Sequence, residues 1–168
     1  MNNSQWFVLK TNPKAEKKVA KQLSEIGFEV FLPLHRELKV WKDRKKWSDE
    51  VLIKSYVFVH TTEKLRTNVF AVSGIVRYLF VNHKIAIVTP KEIEILKIFC
   101  SLDDIKIESK GFSKGDEVEI QVGPLIGLRG IMKKVPSGEK MCIYIEQLGC
   151  FATINISKKE VRLIKKAS

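Results

Sequence analysis

Between Gly115 and Gly130 the chain reads GDEVEIQVGPLIGLRG, and four of its nine glycines fall within those sixteen residues. The first half alternates as a strand does. Val118, Ile120 and Val122 point to one side, and Glu117, Glu119 and Gln121 to the other. A strand that runs straight into Gly123, Pro124, Gly127 and Gly130 either cradles a phosphate or lets a short β-chain turn tightly enough to close on itself. The phosphate reading fails on spacing, because these glycines match neither GxGxxG nor GxxxxGK[ST] and no helical pattern follows them. Tight turning is what is left. Residues 112–168 hold no segment with a helical period and credible caps. They break instead into five short strands, 116–122, 129–135, 140–146, 150–155 and 161–165, several of them separated by Gly or Pro. A small barrel is the economical way for such strands to avoid exposed edges.

The first hundred residues are patterned differently. Trp6–Lys10 reads as a strand. Asn12 and Pro13 then look like the cap and first position of a helix that Gly27 ends, with Ala15, Val19, Leu23 and Ile26 as its apolar stripe. Glu29–Val40 reads as a strand interrupted by Pro33, followed by the basic turn WKDRKKW and the β-rich stretch Val51–His60. A second helix fits Thr62–Val72. Ile75–Val88 reads as two short strands turning at Asn82-His83, and Thr89-Pro90 opens a third helix, Lys91–Cys100, carrying Ile93, Leu96 and Ile98. The order β-α-β-β-α-β-α suggests a split βαβ sheet covered by helices. The expectation is an α+β chain: a domain over 1–100, a polar linker over 101–111, and a barrel over 112–168.

Charge narrows the partner. The chain carries 30 Lys and Arg against 19 Asp and Glu. The imbalance is steepest in residues 1–100, with 18 cations to 10 acids, against 12 to 9 beyond. Such asymmetry favours a polyanion, usually nucleic acid, although a basic surface can also serve solubility alone. No apolar run is long enough to span a bilayer, and MNNSQWFVLKTN lacks the form of a secretory signal. Cys100, Cys142 and Cys150 are odd in number and form no CxxC, which fits free thiols in a reducing cytoplasm. His35, His60 and His83 stand isolated, without a metal-ligand or catalytic pattern around them. No metal, cofactor or enzymatic activity is expected.

FSKGDEVEIQVGPLIGLRG resembles a KOW motif, in which a strand, a Gly-Pro turn and a further glycine build an SH3-like barrel. WFVLKTNPKAEKKVAKQL is similar to the opening of the NusG N-terminal (NGN) domain. SYVFV (Ser55–Val59) resembles that domain's PGYVFV-like strand, and SGIVRYLF its later glycine-then-strand segment. The resemblance runs in order over residues 5–166, and the chain is identified as a member of the NusG family. Lys54-Ser55 stands where the family usually has Pro-Gly. WKDRKKWSDEVLIKSYVFV is similar to the specialised UpxY- and RfaH-type branch, which acts on polysaccharide operons. Leu125 occupies a place where the housekeeping factor carries an aromatic.

The resemblance implies a non-enzymatic transcription elongation regulator or antiterminator, cytoplasmic and monomeric. Its NGN sheet would bind the clamp helices of the RNA polymerase β′ subunit and favour processive, pause-resistant transcription. Tyr56 and Phe58 alternate on one strand and so share a face, with Phe7, Ile53 and Tyr78 as companions; these are either clamp-helix anchors or core. Arg66, Thr67 and Asn68 align with a segment facing the β lobe. Lys10, Lys14, Lys17, Lys18 and Lys21 would meet the non-template DNA strand, unless they form an ordinary solvated helix face. The Trp41–Trp47 turn either touches nucleic acid or is a solvated hairpin tip. The barrel's partner would be a ribosomal protein or the termination factor Rho, with the departure at Leu125 weighing against Rho. The alternative to this whole reading is a ribosome-associated KOW-type RNA-binding protein.

Overall fold

A computed structural model describes residues 3–108 and 115–167. It divides into two compact units, Met1–Cys100 and Ser101–Ser168. The end of the expected linker, 109–111, and the expected start of the barrel, 112–114, lie outside the described residues. The fold is mixed α/β and mostly strand.

In chain order the first unit runs β1 (Gln5–Thr11), α1 (Glu16–Glu25), β2 (Glu29–Phe31), β3 (Leu34–Val40), β4 (Lys45–Val51), β5 (Tyr56–Thr61), a 3-10 helix (Arg66–Ala71), β6 (Ile75–Tyr78), β7 (Phe80–Val81), β8 (Lys84–Ile85), β9 (Ile87–Val88) and α2 (Pro90–Cys100). The main sheet has the order β2-β5-β1-β6, with β9 also pairing to β1, and every pairing is antiparallel. Its central strand is apolar on both faces. Phe7 and Leu9 join Val57, Val59 and Tyr78 on the side packed by Val19 and Leu23 of α1 and Val69 of the 3-10 helix. Trp6, Val8 and Phe58 are buried on the opposite side, where Phe31 packs against Phe58 at 5.8 Å between ring centres. Each such side chain contributes about 1.5–3 kcal/mol by leaving water.

Several expectations are corrected. Asn12 and Pro13 do not open α1. Ala15 donates its N–H to the Asn12 carbonyl (3.1 Å), closing a turn in which Lys14 is left-handed (φ 64°), and the helix begins at Glu16 without a side-chain cap. Proline pre-sets a turn as readily as a helix start, and here the turn wins. Ile26 is exposed beyond the helix end, while Glu16, unforeseen, is buried. Val51–His60 is not one strand: residues 52–55 form a corner between β4 and β5, with Ser55 at φ 64°. The helix expected over Thr62–Val72 shortens to the 3-10 turn Arg66–Ala71. Asn82 and His83 do form a tight turn, both at positive φ. Thr89 caps α2 reciprocally with Glu92: the Glu92 N–H donates to Thr89 Oγ1 (3.2 Å) and the Thr89 N–H to Glu92 Oε2 (2.8 Å). Phe99, rather than Ile98, is the third fully buried side chain of α2.

The second unit contains β10 (Lys106–Glu108), β11 (Asp116–Ile120), β12 (Arg129–Val135), β13 (Gly138–Ile145), β14 (Cys150–Asn155) and β15 (Val161–Lys165). They form one antiparallel sheet in the order β10-β14-β13-β12-β11-β15, so part of the expected linker is a paired strand. No β10–β15 pairing closes that sheet among the described residues. The glycines between 115 and 130 serve two roles. Gly127 (φ 84°) turns the loop between β11 and β12, whose ends Ile120 holds by hydrogen bonds to Gly127 and Leu128. Gly130 allows close approach, since a Cβ there would stand 2.4 Å from the Cys142 carbonyl oxygen. Leu125 is buried within the same loop. Glu119 joins three strands, accepting from Arg129 of β12 (2.9 Å) and Arg162 of β15 (3.1 Å). Arg129, first among its neighbours, holds its carboxyl below the usual range.

Candidate functional site

The residues expected to bind a partner separate into distinct places. Directly paired residues of antiparallel strands share a face, and the β1–β5 register pairs Phe7 with Val59 but Val8 with Phe58 and Lys10 with Tyr56. Phe7 therefore lies on the α1 side of the sheet, edge-on to Tyr78 at 5.7 Å, away from Tyr56 and Phe58. Phe7 is 1% exposed and Phe58 0%; Ile53, in the corner rather than on β5, and Tyr78 are also buried. These four side chains are core in the isolated chain and present almost no surface. Tyr56 is half-buried, and it alone of the five keeps surface for a partner.

What surrounds Tyr56 is basic. Lys10 is paired with Tyr56 on one side and with Arg77 of β6 on the other, so Tyr56, Lys10 and Arg77 stand in a row across three strands. Arg77 is exposed and Lys10 half-buried. Sequence reasoning missed Arg77, because its proximity follows only from the pairing of β6 with β1.

Ser55, which precedes Tyr56 in the chain, lines a cleft of about 470 Å³ together with Lys14, Lys17, Lys54, Glu16 and Glu50. Both acids of this cleft are engaged. Glu16 Oε1 accepts the Ser55 backbone N–H at 2.6 Å. Glu50 is held by Lys39 (2.6 Å) and by the Ser48 hydroxyl (2.7 Å), which keep its carboxyl below the ordinary carboxylate range, Lys39 foremost. Lys17 donates to the Asp49 carbonyl at 2.5 Å, and Lys14 and Lys54 have no ion-pair partner among the described residues. An anion entering here meets three ammonium groups, of which Lys17 also bonds a carbonyl, and two carboxylates, of which Glu50 is paired with a cation and Glu16 is bonded to a neutral N–H.

Of the five expected DNA contacts, Lys14 and Lys17 reach this cleft, and Lys10 lies on the sheet beside Tyr56. Lys18 and Lys21 are exposed on α1 outside the cleft lining, with Lys21 paired to Glu25 at 3.8 Å. Lys54 was missed; only the corner at Ser55 brings it to Lys14.

Arg66, Thr67 and Asn68 sit together on the 3-10 helix. The Arg66 carbonyl accepts the Tyr78 hydroxyl (2.6 Å) and its guanidinium pairs with Glu63 (2.8 Å). Thr67 is exposed, and Asn68 lines a second cleft of about 520 Å³ with His60, Ile26 and Leu65. No group of three or more His, Cys, Asp or Glu side chains among the described residues is arranged to hold a metal. No helix among them is long and apolar enough to cross a membrane.

A family model described as NusG, transcription termination factor, matches residues 4–97. Among solved structures, one of Thermotoga maritima NusG concerned with domain interaction is similar at 20% identity and a TM-score of 0.64, covering 97% of this chain and 98% of that one. The MjSpt4:Spt5 complex is similar at 18% identity over 97% of this chain and 99% of that one, with a TM-score of only 0.33. No curated protein matches the sequence.

Proposed function

The chain belongs to the NusG family of transcription factors, and from that premise we propose that it is a non-enzymatic elongation regulator of the antiterminator type. It binds RNA polymerase through the face that carries Tyr56 and contacts the non-template DNA strand at the Lys14–Lys17–Lys54 cleft. Two observations carry this reading: the row Tyr56–Lys10–Arg77 across one face of the sheet, and the cleft of Lys14, Lys17 and Lys54 at the corner that precedes Tyr56. An aromatic flanked by cations suits a partner helix with acidic residues, here the clamp helices of the β′ subunit. A cluster of ammonium groups suits phosphates, which supply affinity without sequence choice. The Arg66–Asn68 turn would face the β lobe.

Binding that prefers one polymerase conformation suffices to favour the processive state. The strand order β15-β11-β12-β13-β14 supports reading the second unit as a KOW-type SH3-like barrel. The barrel would recruit a further factor, a ribosomal protein or Rho. Leu125, buried in its loop, is not available to such a partner. The hairpin sequence and Lys54-Ser55 support the specialised branch that serves long polysaccharide operons, with the protein a cytoplasmic monomer.

Affinity purification of the tagged chain tests the reading. Polymerase subunits are expected in the eluate, and Tyr56→Ala, which removes a half-buried ring, is expected to abolish their recovery while the protein stays folded. Recovery of ribosomal subunits instead would favour the ribosome-associated alternative and sink this one.

A further inference from the structure

Among the described residues the hairpin of β3 and β4 is a two-stranded sheet on its own, joined by ladder hydrogen bonds to no other strand. Isolated two-stranded ribbons are marginal in water, and one that displays large apolar side chains needs a reason for them. Here the register pairs Leu38 with Trp47 and Val40 with Lys45 on one face, and all four side chains are exposed, Trp47 by 58%. Trp41 is 60% exposed at the tip, where its N–H closes the turn onto the Arg44 carbonyl (2.8 Å). The tip is also cationic. Lys42, Arg44, Lys45 and Lys46 form no ion pair among the described residues, whereas the two cations nearer the base do, Arg36 to Asp49 and Lys39 to Glu50.

Exposed indoles interleaved with unpaired cations are what a flexible polyanion with stackable bases requires. A membrane surface would accept the charge, but Lys45 interrupts the apolar side chains Leu38, Val40 and Trp47 on their face; an acidic protein would match the cations but offers two exposed indoles no bases to stack on. The base of the hairpin also supplies Glu50 and Val51 to the wall of the lysine cleft, so the arm and the cleft adjoin through β4. We propose that the Trp41–Trp47 hairpin is a stacking arm for single-stranded DNA, its two indoles meeting bases while Lys42, Arg44, Lys45 and Lys46 meet phosphates. That the strand is DNA rather than RNA rests on the proposed reading of the lysine cleft; the arm itself goes beyond binding to polymerase and is tested without it.

Fluorescence anisotropy of a labelled thymidine oligomer of about 12 nucleotides, titrated with the full chain, is the direct test. Trp41→Ala with Trp47→Ala is expected to weaken binding about tenfold or more, as loss of base–aromatic stacking does elsewhere. Trp41→Phe with Trp47→Phe restores most of it, since a ring is still present. Binding of a duplex of equal length is indifferent to both changes. Replacing the four tip cations with Gln lowers the slope of log affinity against log salt by about 3, or roughly 0.7 per contact. In the unmodified chain, tryptophan emission is quenched on binding, while the contribution of Trp6, buried against His60 at 4.9 Å, persists. Wild-type affinity in the Ala pair, an equal loss on duplex, or a preference for RNA of the same sequence would each overturn the proposal. Failure here leaves polymerase binding by Tyr56 untouched, and failure there leaves this result intact.

Discussion

The carboxylate of Glu16, in the first turn of α1, accepts the backbone N–H of Ser55 at 2.6 Å, and Ser55 is held in the left-handed region at φ 64°. Two sequence oddities meet in this contact: a buried acid on a helix, and a serine where the family's glycine would sit. The Ser55 carbonyl in turn accepts the Thr11 N–H (2.9 Å), so the corner is tied to α1 and to the end of β1 at once. The corner sets the direction in which Tyr56 enters β5 and the distance between Lys54 and Lys14.

Glu16→Ala is therefore expected to cost about 2 kcal/mol, the range for a hydrogen bond to a charged group whose partner is left unpaired. Glu16→Gln, which keeps an acceptor oxygen, costs less. Ser55→Gly stabilises by up to about 1 kcal/mol, because glycine occupies the left-handed region without a Cβ penalty. Urea denaturation of the three variants checks the account. Equal losses for Ala and Gln would show that the carboxylate matters by filling space rather than by accepting the N–H.

The second unit offers a contrast between two glycines. Gly130→Ala would place a Cβ 2.4 Å from a backbone oxygen of β13, and two paired strands cannot separate without losing their ladder, so a destabilisation of about 3 kcal/mol is expected. Gly127→Ala meets open space and bears only the cost of its positive φ, about 1–2 kcal/mol. Thermal unfolding should rank Gly130→Ala well below Gly127→Ala; the reverse order would mean that the loop, not the strand contact, limits stability.

Tyr78 should report on the core of the first unit at high pH. Burial, chiefly, pushes its phenol up to about 12, with Arg66 opposing and Glu63 reinforcing the shift. The neutral form is favoured in the folded state, so this stabilisation is complete below the ordinary tyrosine value of about 10 and is lost as pH rises from there through about 12. Spectrophotometric titration is expected to show one of the three phenols ionising late, together with unfolding, and Tyr78→Phe should remove that step. A late phenol that survives the substitution would have to be another tyrosine.

Much of this was legible in the chain. Five of the six strands described in the second unit, β11 to β15, fall within a few residues of their expected bounds, because period-two alternation between glycines is a local signal, and Thr89-Pro90 likewise marked α2 locally. What was not legible depended on pairing. Phe7 and Phe58 look alike as aromatics on adjacent strands, and only the register shows that they face opposite sides and are both core. Lys54 and Arg77 join the site through a corner and a neighbouring strand that no linear spacing encodes. Asn12-Pro13 carried two local meanings, helix start and turn, and tertiary contact chose the turn: the Asn12 N–H donates to the Gly74 carbonyl (2.9 Å), fixing the chain before the helix can begin.

The lysines of the first unit should divide by position rather than count. Lys14→Gln, Lys17→Gln and Lys54→Gln remove the three ammonium groups of the cleft, while Lys18→Gln and Lys21→Gln remove two that lie outside its lining. If the cleft holds a single strand of DNA, the triple variant lowers the log–log salt slope of binding to a bubble-containing elongation complex by about 2, at roughly 0.7 per phosphate contact. The double variant should leave the slope nearly unchanged. Because Lys17 also ties α1 to β4 through the Asp49 carbonyl, circular dichroism must accompany the titration. Affinity for polymerase without nucleic acid should be the same in both variants, since Tyr56 is intact. Equal slopes for the triple and double variants would mean that the helix carries only a diffuse positive field and that the cleft is not a phosphate site.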